Sequence, residues 1–250
     1  MHDPAPPSST DSTPRPSRAP RLGAWWGVVC LLLAIGVFTW DGPISDATRS
    51  LNLGGDLRRE LEAFQQYGQG GAILLVALLI WMLDPPRRRR LLDYGLALGA
   101  TALVVVPMKM LCGRPRPKFE DPAWFLGPFG KYSVNEEVGL RYAWEVGSGI
   151  SSDLWSMPSS HTAYAVVMSV FLGTLYPRIR PLVIGLALLV AACRVLFGAH
   201  YPADVLVGAG VALLVALPIV RSWRGVRLLD WIWVRVVDRN AKPAWPRTTR

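Results

Sequence analysis

The sequence predicts an all-α polytopic membrane protein with six transmembrane helices in a bundle. Hydrophobic residues make up 51% of the 250 residues. Long uncharged stretches recur along the chain, and several approach the roughly 20 residues that an α-helix needs to cross a bilayer. Arginine clusters at the ends of these stretches are typical of loops between membrane helices. Large soluble cores rarely combine these features, so we favour the membrane class.

Six apolar stretches give the expected helices, at residues 24–40, 63–83, 94–108, 154–177, 181–193 and 205–220. They define an expected membrane domain over residues 24–222. Three arginines precede the first stretch, as in a signal peptide. No convincing small-residue cleavage site follows Trp40, so we expect the first helix to be retained.

Two tails flank this domain. Residues 1–23 are rich in Pro, Ser and Thr and contain few apolar groups, which predicts a disordered tail. Residues 223–250 mix arginines with Trp231 and Trp233, which predicts a basic amphipathic segment along the headgroups of the inner leaflet.

The distribution of basic residues predicts the orientation of the chain. With the N-terminus inside, the inner segments contain 17 Lys and Arg residues and the outer loops contain 8. This asymmetry follows the positive-inside rule and explains the net charge of +9 without a nucleic-acid partner. We therefore expect an integral protein of the cell membrane or inner membrane, with both termini in the cytoplasm. Residues 113–157 would form an extracytoplasmic loop, whose aromatic residues suggest a lipid gate or an ordinary interfacial loop.

The cysteines give no sign of a metal centre. Cys30, Cys112 and Cys193 lie in or beside apolar stretches, and their number is odd and their spacing unlike that of metal ligands. We expect small buried apolar side chains at these positions.

The first polar cluster lies at the outer end of the third helix. Lys109 falls in its last turns, and Gly113 with two Arg-Pro pairs ends the helix. Arg114 and Arg116 would then lie in an extended segment, where two or three cations can converge. The alternative is a basic helix end that interacts with the helix dipole and lipid headgroups.

The second cluster, Met157–Thr162, opens the fourth helix. Proline is favoured at the first helical position, so Pro158 would leave the backbone N–H groups of residues 159–161 free to bind an anion. His161 would lie at the edge of this anion site. The alternative is an ordinary serine cap with an interfacial histidine.

The third cluster lies between the last two helices. Pro202 marks a helix start, so Asp204 falls in the first turn and His200 lies just before it. A carboxylate there can accept the N–H of one imidazole nitrogen and leave the other free to attack or bind. Arg194 adds a cation suited to phosphate oxygens. The alternative is an aspartate cap beside a packed histidine.

All three clusters fall on the same, outer side of the predicted membrane domain. Two histidines, a carboxylate, at least three cations and a helix N-terminus could therefore meet in one pocket. Such a set suits phosphoryl transfer, in which positioning and charge neutralisation supply most of the rate.

These residues resemble the signature of the type 2 phosphatidic acid phosphatase superfamily, which reads K-x6-R-P, P-S-G-H and R-x5-H-x3-D. The corresponding residues here are Lys109 with Arg116 and Pro117, residues 158–161, and Arg194 with His200 and Asp204. Nine of the ten fixed positions match, in order and at the right spacing. The motifs occupy residues 109–204, and the six-helix plan extends the resemblance over about residues 24–222.

The resemblance implies a role for each motif residue. His200 would be the nucleophile that forms a phosphohistidine, Asp204 would orient it, and His161 would protonate the leaving oxygen and then activate water. The phosphoryl oxygens would be held by Lys109, Arg116, Arg194, Ser159 and the backbone N–H of Ser160. No metal or other cofactor is expected, since the cations neutralise the phosphate charge.

One motif position departs from the family pattern, because Ser160 stands where the family has glycine. Its side chain could crowd the phosphate or add a hydrogen-bond donor. We expect activity to survive this change.

The sequence thus predicts a membrane lipid phosphatase. Its substrate would be a lipid phosphate in the bilayer, either an isoprenoid diphosphate, as for an undecaprenyl-diphosphatase-like enzyme, or a phosphatidate-type monoester. One alternative is a lipid phosphotransferase that passes the phosphoryl group to an acceptor other than water. Another is a catalytically silent lipid-binding or transport protein, against which the intact His161, His200 and Asp204 argue.

Overall fold

The computed structural model describes residues 20–51, 54–133, 139–145 and 151–239. Residues 1–19 of the expected N-terminal tail and residues 240–250 of the expected C-terminal tail lie outside the described residues. Residues 20–23, which we assigned to that tail, belong to the first helix instead.

Helices dominate the described part of the chain. The α-helices are α1 (Pro20–Val37), α2 (Asp41–Ser50), α3 (Gly55–Gln65), α4 (Gly70–Leu83), α5 (Leu91–Cys112), α6 (Ser160–Leu175), α7 (Arg180–Leu196), α8 (Pro202–Arg221) and α9 (Arg224–Val236). Two short strands, β1 (Lys131–Ser133) and β2 (Leu140–Tyr142), pair antiparallel between α5 and α6.

Four helical segments in the described part are long and apolar enough to cross a membrane: Trp25–Ser50, Pro85–Phe119, Pro177–Leu196 and Pro202–Arg221. The pair α3 and α4 gives a fifth if it is counted as one span, and α6 is apolar but shorter. The all-α membrane architecture is therefore confirmed, whereas the count of six spans stays a prediction.

The prediction of a single helix over residues 63–83 is wrong. The chain bends by 61° between the helical segments Gly55–Gly68 and Gly70–Leu83. At the bend, a Cβ on Gly68 would lie 2.3 Å from the carbonyl oxygen of His161. Glycine therefore allows the break in this span to contact the start of α6 directly.

The prediction that the fourth helix begins at Pro158 is also wrong. A 3-10 turn occupies Ser151–Leu154, and α6 begins only at Ser160. The peptide bond between Met157 and Pro158 is cis. Residues 155–159 therefore form an irregular segment that leads into α6.

α8 is the central helix of the bundle and packs against α1, α5 and α6. Small residues allow the closest of these contacts: a Cβ on Gly210 of α8 would lie 2.9 Å from the carbonyl oxygen of Gly27 in α1. Between α5 and α6, the rings of Tyr94 and Phe171 stack with their centroids 4.6 Å apart. Close helix packing through small residues is typical of membrane bundles.

Large apolar side chains cover the outside of the bundle. They include Trp25, Trp26, Leu32 and Ile35 of α1, and Leu74, Leu75, Trp81 and Met82 of α4, all of which are exposed. Apolar surface on this scale is unfavourable in water but matches a lipid environment. Together with the apolar spans, it identifies the chain as an integral membrane protein.

The two basic regions of α5 lie at its opposite ends. A helix of 22 residues is about 33 Å long at 1.5 Å per residue, which is close to the thickness of the hydrocarbon core. Residues 87–90 precede the helix, whereas Lys109 lies in its last turn and Arg116 follows it. The arginine cluster is therefore separated from Lys109 and Arg116 by about the length of α5.

A buried ion pair fixes α9 at the end of α5 that carries the arginine cluster. The Asp93 carboxylate accepts the N–H of Gly225 at 2.7 Å and pairs with Arg90 at 3.1 Å. The Arg90 guanidinium also lies 4.0 Å from the ring centroid of Trp223. α9 exposes apolar side chains beyond this anchor, and its position on the inner leaflet stays a prediction.

Candidate active site

The end of α5 carries two cations that contact the segment before α6. Lys109 is buried, and its Nζ donates a hydrogen bond to the carbonyl oxygen of Trp155 at 2.6 Å. Arg116 donates from Nε to the carbonyl oxygen of Ser152 at 2.7 Å. Gly113 ends α5 in the left-handed conformation, with φ of 58°, as the sequence predicts for a helix C-terminus.

The start of α6 differs from our expectation. Pro158 lies before the helix, Ser159 is the N-cap and Ser160 is the first helical residue. The backbone N–H of Ser159 is not free for an anion, because it donates to the carbonyl oxygen of Asp204 at 3.0 Å. The N–H groups of Ser160, His161 and Thr162 have no acceptor within the helix, since they belong to its first turn. The expected anion site is therefore available one residue later than predicted.

The serine at position 160 causes no backbone strain. It has helical geometry, and it is not among the described residues with positive φ. The conformational freedom of glycine is therefore not needed at this position.

The turn between α7 and α8 carries the second histidine, as predicted. α8 begins at Pro202, Asp204 lies in its first turn, and His200 precedes the helix with 3% of its surface exposed. Burial lowers the pKa of His200 to about 3, and the charges of Lys109 and Arg116 act in the same direction, whereas Asp204 opposes them. The His200 imidazole is therefore neutral at pH 7 and has a lone pair available for attack.

The predicted hydrogen bond between His200 and Asp204 is not formed. His200 Nδ1 lies 3.7 Å from Asp204 Oδ2, which is an ion-pair distance but too long for a hydrogen bond. The same oxygen accepts the hydroxyl of Ser156 at 2.5 Å and the backbone N–H of Tyr201 at 2.9 Å. Asp204 therefore faces Nδ1 of His200 without being bonded to it.

Arg194 approaches the site from the last turn of α7. Its Nη1 donates to Gln65 Oε1 at 3.1 Å, which ties α7 to the end of α3. Its Nε is buried without a hydrogen-bond partner.

Arg114 does not join the other cations, contrary to our expectation for the extended segment after α5. Its side chain is fully buried and pairs with Asp204 at 2.6 Å and Asp41 at 2.7 Å. The backbone after Gly113 therefore directs Arg114 to the far side of Asp204, whereas Arg116 remains partly exposed.

The three motifs lie close together in space. Lys109 and Arg116 are near enough to both His161 and His200 for their charges to act on the two imidazoles. The charge of Arg194 is likewise near enough to interact with His161 and with Lys109. The structure thus brings the histidines and cations of three separate motifs into one cluster.

Three polar atoms of this cluster are buried without a hydrogen-bond partner among the described residues: His161 Nε2, His200 Nδ1 and Arg194 Nε. Buried polar atoms in native proteins are nearly always paired. His200 Nδ1 faces Asp204, whereas the unpaired His161 Nε2 and Arg194 Nε indicate a place for a ligand. Surrounding cations favour an anionic ligand there.

Two cavities lie outside this cluster. One, of about 230 Å³, lies between α4 and the end of α6, next to Asp84 and Tyr176. The other, of about 220 Å³, lies between α2 and Tyr201, next to Arg49 and Glu120. Neither is lined by His161 or His200.

The described residues contain no group of three or more His, Cys, Asp or Glu side chains placed to hold a metal ion. All three cysteines are free thiols, with Cys193 buried and Cys30 and Cys112 half-buried.

The sequence analysis did not identify Asp41 and Ser156 as neighbours of the site. It also did not identify the close contact of Gly208 with Ser159. Asp41 is an acidic residue directly after the first apolar stretch, where an isolated carboxylate is a signal for a buried partner. Gly208 lies four residues after Asp204, and a Cβ there would lie 2.5 Å from the Ser159 carbonyl oxygen. A glycine in an apolar helix gives little indication of such a contact.

Comparisons with known proteins give the family of the chain and similar folds. The family model of the PAP2 superfamily matches residues 90–227. The structure is similar to the crystal structure of the first transmembrane PAP2 type phosphatidylglycerolphosphate phosphatase from Bacillus subtilis, with a TM-score of 0.55 and 20% identity over 81% of this chain and 95% of that one. It is also similar to the crystal structure of Aquifex aeolicus LpxE, with a TM-score of 0.50 and 17% identity over 74% of this chain and 93% of that one. No curated protein matches the chain.

Proposed function

Because the chain belongs to the PAP2 superfamily, we propose that it is a membrane lipid phosphatase that acts through a phosphohistidine at His200. The observation that carries this proposal is the cluster of the buried His200, the half-buried His161 and three cations, with unpaired polar atoms among them. Such a cluster can neutralise a phosphoryl group while one imidazole attacks it.

In the first step, a nitrogen of the neutral His200 imidazole attacks the substrate phosphorus. A P–N bond forms as the P–O bond to the lipid breaks, and a protonated His161 gives its proton to the leaving oxygen. Burial and the nearby cations lower the pKa of His161 to about 4, so the negative charge of the bound phosphate must raise this pKa for His161 to carry the proton. Asp204 faces Nδ1 of His200 at 3.7 Å, so its negative charge stabilises the cationic phosphoimidazole.

In the second step, His161 takes a proton from water, and the resulting hydroxide attacks the phosphorus. The P–N bond breaks, inorganic phosphate leaves and His200 is regenerated. Lys109, Arg116 and Arg194 hold the phosphoryl oxygens in both steps, together with the N–H groups of Ser160 and His161 at the start of α6. Ser159 contributes its hydroxyl, which also accepts a hydrogen bond from Thr162 at 3.1 Å.

Those side chains supply the positive charge, and we therefore expect no metal requirement. We also propose that the site faces away from the cytoplasm, with both termini inside. The position of residues 87–90 at the opposite end of α5 supports this orientation, because short arginine-rich loops stay on the cytoplasmic side.

The substrate class is a phosphate carried by a lipid. The similar Bacillus subtilis protein is a phosphatidylglycerolphosphate phosphatase, which favours lipid monoesters as the first part of a substrate panel. Isoprenoid diphosphates form the second part of that panel.

The test is phosphate release by the purified protein in detergent with EDTA, measured on lipid monophosphates and lipid diphosphates. His200→Ala should abolish release, whereas the matched control His2→Ala should leave it unchanged. Release that persists in His200→Ala would contradict the nucleophile. Loss of phosphate from the lipid only after addition of an alcohol acceptor, with the phosphate recovered as an ester of that alcohol, would indicate a phosphotransferase. Lipid binding without turnover would indicate a silent binding protein.

A further inference from the structure

The Arg114 side chain is the centre of a buried charge network behind the candidate site. Its Nη1 donates to Asp204 Oδ1 at 2.6 Å, and its Nη2 donates to Asp41 Oδ2 at 2.7 Å. All three side chains have 0% of their surface exposed. One guanidinium therefore serves two carboxylates that have no access to water.

Aromatic rings enclose this guanidinium. Its carbon lies 4.3 Å from the ring centroid of Tyr201, 4.9 Å from that of Phe38 and 5.3 Å from that of Phe125. The carbonyl oxygen of Pro122 accepts a further hydrogen bond from Arg114 Nε at 3.0 Å. These contacts exclude water and hold the planar guanidinium in one orientation, so its ion pairs are strong and directional.

Asp41 connects this network to the helix that carries Asp204. Its Oδ1 accepts the backbone N–H of Ala203 at 2.9 Å, in the first turn of α8. Its other oxygen pairs with Arg114. Asp41 therefore fixes both the guanidinium and the start of α8, and it does so from α2, which lies outside the residues that match the family model.

The orientation of the Asp204 carboxylate follows from these contacts. Arg114 holds Oδ1, whereas Ser156 and the Tyr201 N–H hold Oδ2. His200 makes no hydrogen bond to either oxygen, since its Nδ1 is 3.7 Å away. The network, and not the histidine, sets where the negative charge lies.

We propose that Arg114 and Asp41 are positioning residues that keep Asp204 ionised and aimed at His200, and that they act on catalysis only through Asp204. This inference rests on the proposed function, in which His200 is the nucleophile. It assigns a role to a residue pair that joins the N-terminal segment to the site.

The test needs a readout that a merely structural ion pair would not change. The chain offers a matched control at the other end of α5, where Arg90 is buried and pairs with Asp93 at 3.1 Å. Arg90→Gln breaks a buried ion pair of the same kind without touching the candidate site. It should lower the thermal midpoint and leave kcat and the pH profile of the folded protein unchanged.

Arg114→Gln should lower kcat by about 100-fold, with KM changed less than about threefold, because a misplaced catalytic group affects the reaction and not ground-state binding. The acid limb of its pH profile should move up by about 1 to 3 pH units, because a carboxylate that loses its cation binds a proton more readily. Charged or titratable groups that face Asp204 are Asp41, Lys109, Cys112, Arg114, Arg116, His200 and Tyr201.

Asp41→Asn should differ from Arg114→Gln in the direction in which the acid limb of the pH profile moves. Arg114 then serves Asp204 alone, so the acid limb should stay in place or move down, while kcat falls by about 10-fold because the guanidinium loses one anchor. Arg114→Lys should be intermediate in kcat, since an ammonium group cannot bridge two carboxylates with the geometry of a guanidinium.

These outcomes separate the two proposals. A wild-type protein that releases no phosphate from any lipid would overturn the proposed function. An active wild type with an Arg114→Gln variant that behaves as Arg90→Gln would overturn the positioning role alone. If Arg114→Gln does not fold, unchanged kcat and pH profiles in both Asp41→Asn and Arg114→Lys would overturn it equally.

Discussion

Replacing Gly208 by alanine tests whether the backbone of Ser159 sets the rate of phosphoryl transfer. Gly208 is buried on α8, and an added Cβ would lie 2.5 Å from the Ser159 carbonyl oxygen and 3.3 Å from the Ser159 nitrogen. The variant therefore pushes directly on the N-cap of α6, which precedes the N–H groups that we assign to phosphate binding.

The size of the displacement follows from the contact distances. Real Cβ atoms essentially never approach within 3.0 Å of another heavy atom, and ordinary contacts begin at 3.4 Å. The start of α6 must therefore move by about 0.5 to 0.9 Å relative to α8. A shift of about 1 Å in a catalytic group can cost about 100-fold in rate, so we expect kcat/KM to fall by about 10- to 100-fold.

The assay compares phosphate release and thermal midpoint for Gly208→Ala and for a matched glycine, Gly185→Ala. Gly185 lies in α7, and a Cβ there meets nothing within 4 Å. Gly185→Ala should retain activity and gain about 0.5 to 1 kcal/mol from the better helix propensity of alanine. If folded Gly208→Ala retains kcat/KM within threefold of Gly185→Ala, the position of the Ser159 backbone does not control the reaction.

Three further predictions concern the histidines and the loop before α6. His161→Ala should still release p-nitrophenol from p-nitrophenyl phosphate in a stoichiometric burst, because a good leaving group needs no acid, and then turn over slowly; the absence of a burst would argue against its role in the second step. Burial lowers the His200 pKa from 6.5 to about 3, so between these pH values the unfolded chain binds a proton that the folded chain does not, and stability is lost as the pH falls. His200→Asn should lose less thermal stability than the wild type as the pH falls from 6.5 to about 3. Equal losses would contradict the lowered pKa of His200. Deletion of the β1–β2 hairpin, residues 131–142, should reduce hydrolysis of long-chain lipid phosphates at least about 10-fold more than that of a soluble ester if the loop is a lipid gate, whereas equal losses would reject the gate.

Much of the candidate site was predictable because its residues occur in short local patterns. Spacing alone placed His200 just before a helix and Asp204 in its first turn, and both are found there. It also placed Lys109 in the last turn of a helix that ends at Gly113. Helix starts and ends depend on neighbouring residues, so these predictions needed no tertiary information.

Predictions that depended on packing between distant segments were less successful. The bend at Gly68 depends on contact with His161, more than 90 residues later in the chain, which no local pattern contains. Likewise, Pro158 was expected to begin α6, but the hydrogen bond from Ser159 to Asp204 holds this segment outside the helix.

The sequence by itself determined the membrane class of the protein and the identity of the two histidines and three cations, because hydropathy and motif spacing are properties of contiguous residues. Only the tertiary structure decided what each polar group faces. Arg114 and Arg116 are two residues apart, yet one is buried between Asp41 and Asp204 and the other remains with the cations that we propose bind phosphate. A buried charge is directed by the partners that compensate for its lost hydration, and those partners come from helices that are remote in sequence.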